Sequence, residues 1–371
     1  MATTQQEPKA EQAGSNAAFL PMLDMVGVMN DMTSMTMKIM QGYRNLASLK
    51  DEDIAVGSTP RELVFEQDGI KLYRYVQENT ITCKTPVLVC YALVNKEYLL
   101  DLQPDRSYVK NLLQNGHDVY IIDWGYPTRA NRYRTVDDYI DIYLNDCVDA
   151  VRRDAGVDKI TLMGVCQGGT LSIIYTALYP HKIKNLVTLI TPVDFSTNDG
   201  TLFAWAKYMD PNPVADVGNV SGDTMNNGFL MVKPMQRIDK FHAFANMMDD
   251  KAKMTNFLRM ERWIFDSPSQ AGECYRKFIS ELYLKNSLVK NELEIGGRTV
   301  NLQDITMPVL TVYAKQDHIV PPSSTKPLND LVGSKDKEMI EFPGGHAGVF
   351  VSSQTQKMLA PAVSKWLHNH D

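Results

Sequence analysis

Five short runs of almost unbroken apolar residues recur along this chain: PVLVCY at 86–91, VYIID at 119–123, KITLM at 159–163, Leu186 to Ile190, and PVLTVY at 308–313. A strand with one face in water alternates polar and apolar side chains, so strands without that alternation must be covered on both faces. Text of helical period separates the runs, over 108–115, 136–155 and from about Gly168 to Leu178. Gly116 stands after the first of these helices as a C-cap. Strands separated by helices of this length predict an α/β fold with a mainly parallel sheet and right-handed crossovers. Asp68-Gly69, between Leu63–Phe65 and Leu72–Val76, predicts an entering hairpin. A last strand over 339–342 and a closing helix near 359–368 complete the pattern.

That rhythm breaks between about Phe195 and Val300, where the text is mostly helical and rich in Met, Asn and aromatics; it ends in a hairpin signal at Gly296-Gly297. A helical insertion between two parts of one sheet reads as a cap over the strand ends. The expected organisation is a disordered lead-in (1–16), a Met-rich helical segment (17–55), the first part of the core (56–194), the helical cap (195–300) and the second part of the core (301–371). In the Met-rich segment, Met22, Met25, Met29 and Met32 follow one helix face. The plain reading lays this helix across the domain's own core; the alternative is an adaptable docking face.

Composition narrows the function by exclusion. A net charge of −6 argues against a dominant nucleic-acid footprint. Five cysteines, at 83, 90, 147, 166 and 274, show no CxxC spacing, which predicts reduced thiols rather than disulfides or a zinc knuckle. No phosphate-binding, dinucleotide-binding or paired metal-ligand motif occurs, so neither a cofactor nor a metal is expected. The first residues lack a secretory pattern, and no apolar stretch reaches the roughly 18 residues of a transmembrane helix. A soluble intracellular protein is expected.

The chemistry concentrates in KITLMGVCQGGTLSIIY at 159–175. Strand, Gly164-Val165-Cys166-Gln167-Gly168 and helix follow one another as in a nucleophile elbow, with Cys where Ser is usual. The turn is sharp, so the positions two before and two after the nucleophile must be small. The following helix points its N-terminus at the site, favouring a thiolate and a nearby oxyanion. In this architecture the order is nucleophile, acid, histidine. His346, in the Gly-flanked loop after the last strand, is the candidate base, and Asp317, at the end of PVLTVY, the candidate acid. His318 is a candidate for an outer supporting position. His181 reads as a surface capping residue, and His368 and His370 as solvated. The oxyanion would be bound by the Gln167 N–H and by that of Val94 or Leu93, in the loop after the third strand. A thiolate attacking a thioester exchanges one thioester for another, so the acyl-enzyme keeps its reactivity toward an alcohol. The triad alone leaves the acceptor, water or alcohol, open.

Six segments together extend this reading: YALVNK (91–96), DLQP (101–104), YIIDWG (120–125), GVCQGGT (164–170), NSLVKNEL (286–293) and DHIVP (317–321). In this order, across residues 56–370, the chain resembles polyhydroxyalkanoate synthases. It is most similar to the class III catalytic subunit, with class IV the near alternative. The resemblance implies an α/β-hydrolase fold with a helical cap. It also implies polymerisation of (R)-3-hydroxyacyl-CoA, usually 3-hydroxybutyryl-CoA, into polyester with release of CoA, the thioester being substrate and not cofactor. On the family pattern Cys166 is acylated, His346 is its base, and Asp317 orients His346 or helps activate the 3-hydroxyl of the attacking unit. Val94 corresponds to the second oxyanion donor. The implied partners are the growing polyester, a second copy in a homodimer, a separate activating subunit and the granule surface, in the cytoplasm. The competing reading is a cysteine-triad thioesterase, lactone hydrolase or polyester hydrolase using water.

Overall fold

The computed structural model of the chain describes residues 25–76 and 80–371; the expected lead-in and Met22 lie outside the described residues. Its strands are β1 (Arg61–Gln67), β2 (Ile70–Tyr75), β3 (Val87–Cys90), β4 (Val119–Asp123), β5 (Ile160–Val165), β6 (Ile183–Leu189), β7 (Glu294–Ile295), β8 (Arg298–Thr299), β9 (Val309–Ala314) and β10 (Lys337–Phe342). Eight of them form one sheet in the order β1-β2-β4-β3-β5-β6-β9-β10, and β7 and β8 pair separately. β2 is antiparallel to both neighbours, and every pair from β4 to β10 is parallel. The turn joining β1 to β2 has positive φ at Asp68 (52°) and Gly69 (82°), as a two-residue hairpin of this twist requires.

The helices are α1 (Met25–Ala47), α2 (Tyr108–Gln114), α3 (Asn145–Ala155), α4 (Gln167–Leu178), α5 (Thr201–Ala206), α6 (Asn212–Val217), α7 (Gly222–Val232), α8 (Met235–Met247), α9 (Lys251–Phe265), α10 (Gly272–Lys277), α11 (Pro322–Thr325), α12 (Leu328–Leu331), α13 (Gly348–Val351) and α14 (Ala360–Asn369). The two-residue period of the strands sends their side chains into two cores. Leu88, Cys90, Leu162 and Leu186 face one, with Val148 of α3 and Ile174 of α4. Val87, Val89, Met163 and Val187 face the other, with Tyr108 of α2 and Trp366 of α14. This double burial is why the strand text carries no alternation.

The inserted segment behaves as two pieces. α7, α8 and α9 keep few buried residues, whereas Ala271, Cys274, Phe278, Leu282, Leu288, Leu293 and Val300 join the same cluster as the sheet. The covering excursion is therefore shorter than the composition suggests, because composition cannot separate cap helices from helices docked on the core.

α1 departs from the plain reading of its methionines. Met29, Met32, Met35, Met37 and Met40 are all more than half exposed. The helix leans on the end of α8 near its own C-terminus, where Asn45 Nδ2 donates to Met248 O (2.9 Å) and Gly42 leaves room for the Met248 side chain. Helical periodicity identifies an apolar face but not what lies against it. No helix among the described residues is long and apolar enough to cross a membrane.

Candidate active site

Parallel pairing sets Cys90 of β3 opposite Gly164 of β5, so the loops leaving both strands emerge side by side. Cys166 follows β5 directly and takes φ 52°, ψ −124°, a conformation L-residues rarely hold. Its N–H donates to Leu189 O (2.9 Å) at the end of β6, and its carbonyl accepts from Gly169 N (2.9 Å), so strand and helix hold the turn from both sides. The glycines are needed for approach rather than for φ. A Cβ on Gly164 would lie 2.4 Å from Gly169 Cα, and one on Gly168 would lie 2.3 Å from Cys90 O.

The loops after β9 and β10 are tied together by Gln316 N donating to Gly344 O (2.9 Å). This brings His346 Nδ1 to 2.7 Å from Asp317 Oδ2. The other carboxylate oxygen accepts from the N–H groups of Ile319 and Val320, both at 2.9 Å, which fixes the carboxylate plane. Burial works against a charge on His346, but the Asp317 carboxylate and then Cys166 outweigh it, and the pKa rises to about 10. Cys166 lies within electrostatic reach of this imidazole. The structure thus brings Cys166, His346 and Asp317 together from three separate loops.

Around them, the Leu93 N–H donates to Gln167 Oε1 (3.1 Å). Among the described residues the N–H groups of Val94 and Gln167 donate to no protein acceptor. The Leu93 N–H is therefore engaged in holding its loop. His318 makes no hydrogen bond through its ring among the described residues; burial, followed by Lys233, lowers its pKa against the pull of Asp317.

Two phenols, the buried Tyr91 and the half-buried Tyr283, lie within electrostatic reach of Cys166, and desolvation raises both well above the usual tyrosine range. Tyr91 closes an apolar strand run, which is a weak signal; nothing in the text around Tyr283 marks it. The end of α9 is latched to the loop after β3. Trp263 Nε1 donates to Lys96 O (2.8 Å), Asn95 Nδ2 to Ile264 O (3.2 Å), and the Tyr98 and Tyr126 hydroxyls both donate to Asp266. Trp124 Nε1 donates to Tyr91 O (2.8 Å), a packing role as its strand-end position suggests.

Of the remaining histidines, His181 is exposed. His368 is exposed as expected, whereas His370 is partly covered and so departs from the expectation of a solvated residue. The His370 ring stacks on Trp366 (centroids 4.1 Å apart), and His368 lies 3.1 Å from Cys83 Sγ. His368 sits on α14 and His370 directly follows it; α14 packs against the sheet, a docking that sequence position does not reveal.

The parallel sheet, the strained cysteine turn and the loops carrying His346 and Asp317 define an α/β-hydrolase-type protein. A profile described as the alpha/beta hydrolase fold matches residues 85–353. The solved soluble variant of monoglyceride lipase from Saccharomyces cerevisiae, in complex with a substrate analogue, shares this fold. Its TM-score is 0.53 at 15% identity, over 85% of this chain and 96% of that one. A second profile, Poly-beta-hydroxybutyrate polymerase (PhaC) N-terminus, matches residues 26–112. The poly(3-hydroxyalkanoate) polymerase subunit PhaC of Allochromatium vinosum is 46% identical over 91% of this chain and 96% of its own length. That of Synechocystis sp. is 46% identical over 94% of this chain and 95% of its own. The chain belongs to the PhaC family of poly(3-hydroxyalkanoate) polymerases.

Proposed function

We propose that this polymerase builds polyester from (R)-3-hydroxyacyl-CoA, 3-hydroxybutyryl-CoA first among them, through an acyl-enzyme on Cys166. The observation that carries the reading is the strained cysteine set against an imidazole that Asp317 holds from behind at 2.7 Å. The Cys166 thiolate attacks the thioester carbonyl. The oxyanion that develops is met by the backbone N–H groups of Val94 and Gln167. As the intermediate collapses, the C–S bond to CoA breaks, and the His346 imidazolium gives its proton to the departing thiolate. The neutral imidazole then takes the proton of an incoming 3-hydroxyl, whose oxygen attacks the Cys166 thioester; the ester C–O bond forms as the C–S bond to Cys166 breaks, and the thiolate and imidazolium are restored for the next thioester. Asp317 keeps Nδ1 protonated, so that Nε2 is the nitrogen that exchanges protons. His318 stands outside these steps and supports the loop carrying Asp317.

No cofactor is called for, since the thioester supplies both the acyl group and the driving force. The cap bears on the choice of acceptor: α9 reaches the oxyanion loop through Trp263 and Asn95, so a closed cap excludes water, the competing nucleophile, from the acyl-enzyme. A homodimer, a separate activating subunit and the granule surface in the cytoplasm are the partners this reading carries. The exposed methionine face of α1 is the first surface on which to seek the last two.

The test is CoA release from (R)-3-hydroxybutyryl-CoA by pure protein, with soluble and insoluble products followed together. Insoluble polyester with stoichiometric CoA is expected. CoA accompanied only by free 3-hydroxybutyrate would show that water is the acceptor.

A further inference from the structure

A second group of cysteine and histidine side chains lies where β3 and β4 begin, at the opposite ends of the strands from Cys166. Thr82 N and Cys83 N both donate to Gly116 O (3.0 and 3.2 Å). A Cβ on Gly116 would sit 2.0 Å from Thr82 Oγ1, and φ is 80° there, so only glycine permits this approach. Cys83 is thereby set beside His117. Helix α14 crosses the same place and brings His368. Cys83 Sγ is 3.1 Å from His368 Nδ1, the rings of His117 and His368 are 4.7 Å apart between centroids, and one ligand atom from each residue lies within 4.8 Å of the others.

The surroundings orient both imidazoles. His368 Nε2 lies 3.0 Å from Asn115 O, and a carbonyl can only accept, so that nitrogen carries the proton and the Nδ1 lone pair faces Cys83. His117 Nε2 lies 2.7 Å from Ser364 Oγ, on α14 itself. A partner on the ring nitrogen turned away from the ion, as Asn115 O is for His368, fixes metal-binding histidines elsewhere. Two imidazoles and a thiol form a donor set suited to zinc and poorly suited to magnesium or calcium. Zinc–sulfur and zinc–nitrogen bonds of about 2.3 and 2.0 Å place tetrahedral ligand atoms roughly 3.5 Å apart. That spacing falls between the Cys83–His368 distance and the 4.8 Å span of the group. Closing on an ion asks each side chain to move by less than about 1 Å.

We propose that Cys83, His117 and His368 form a Zn²⁺ site that clamps α14 onto the sheet. Binding replaces the Cys83 thiol proton: one Zn²⁺ enters, one proton leaves to solvent, and three protein–metal bonds form, with water in the fourth position. His368, exposed at the surface, is the entry point. The Asp371 carboxylate, which accepts from Lys84 N (2.9 Å) and Thr85 N (2.7 Å), already holds the end of the chain beside the site.

The test uses the full chain, stripped with a chelator and titrated with Co²⁺ as probe. A near-ultraviolet thiolate-to-cobalt absorption saturating at one equivalent is expected, displaced by Zn²⁺. It should vanish in Cys83→Ser and persist in Cys166→Ala, and His368→Ala should weaken Co²⁺ binding about 100-fold. Zn²⁺ should raise the melting temperature of the wild type and not that of His368→Ala. Because the His368 ring is exposed, that variant carries the test should Cys83→Ser not fold. No absorption at stoichiometric metal, or absorption retained in Cys83→Ser, overturns the proposal. Loss in Cys166→Ala alone places the ion at the other cysteine and overturns it equally.

Discussion

The two ends of one sheet carry nearly the same side chains and make different environments of them. At the C-terminal ends stand Cys166, His346 and Asp317; at the N-terminal ends stand Cys83, His117, His368 and Asp371. In the first group the carboxylate is bonded to the imidazole and, against burial, raises its pKa to about 10. In the second the carboxylate is spent on the Lys84 and Thr85 amides, and the imidazole neighbours are one another. Burial, with His368 next, takes the His117 pKa down to about 4, and burial pushes the Cys83 thiol up. The backbone differs as well: Cys166 is held at positive φ and half-buried, whereas Cys83 is buried. Residue type alone does not set a cysteine's environment. The group behind the imidazole and the backbone beneath the sulfur do.

The comparison can be broken from its catalytic side. Cys166→Ala should abolish acylation, a loss of roughly 10⁴-fold or more in CoA release. Persistent acyl-enzyme, seen by mass spectrometry of the intact chain, would place the nucleophile elsewhere. Next in size, Asp317→Asn keeps the shape but removes the charge behind His346. A drop of about 10²–10⁴-fold in acylation is expected from pre-steady-state CoA release.

The same substitution sharpens the electrostatic contrast. A histidine whose folded pKa is raised stabilises the fold fully below its ordinary value near 6.5, and that stabilisation fades as pH rises through about 10. The stability gap between wild type and Asp317→Asn, read from denaturant melts, should be wide at pH 6 and narrow toward pH 10. A gap constant across that range would deny Asp317 its hold on the imidazole. By NMR, the His346 titration should fall furthest in Asp317→Asn and less in Cys166→Ala, in the order of their influence.

The smallest effect concerns what covers the site. Trp263→Phe keeps the ring but removes the donor to Lys96 O, and should cost about 1 kcal/mol in stability. With the oxyanion loop less firmly tied to α9, the share of acyl-enzyme lost to free acid should rise by a few-fold; an unchanged ratio of acid to polyester would detach the latch from control of water.

Much of this was legible in the text of the chain. The strands at 119–123 and 308–313, the latter observed at Val309–Ala314, and the elbow between β5 and α4 were marked because both-sided burial and steric crowding favour apolar residues and glycine there. The pairing of His346 with Asp317 was legible because chain order in this fold restricts which loops can bring a histidine and a carboxylate together. The choice between Val94 and Leu93 was not readable from the residues themselves, since both offer the same amide. What the structure adds is that the Gln167 side chain occupies the Leu93 N–H, which supports the proposed use of Val94. The methionine face of α1 misled because periodicity carries no record of the partner surface. Tyr283 and the latch from α9 were invisible because they depend on where an inserted segment folds back.

The amino-acid order by itself determined the local events: which segments are strands, where the chain turns sharply around Cys166, and which residue types could do acyl chemistry. Each rests on interactions within a few residues or on the demand that apolar runs be buried. The tertiary structure alone decided which distant groups meet: Asp317 behind His346, Gln167 on Leu93, Trp263 on Lys96, and His368 on Cys83, 285 positions away. Spacing in sequence has no fixed relation to distance once crossovers and a long insertion intervene. A pKa depends on distance and on exclusion of water, so the same cysteine and histidine letters acquired opposite characters at the two ends of one sheet.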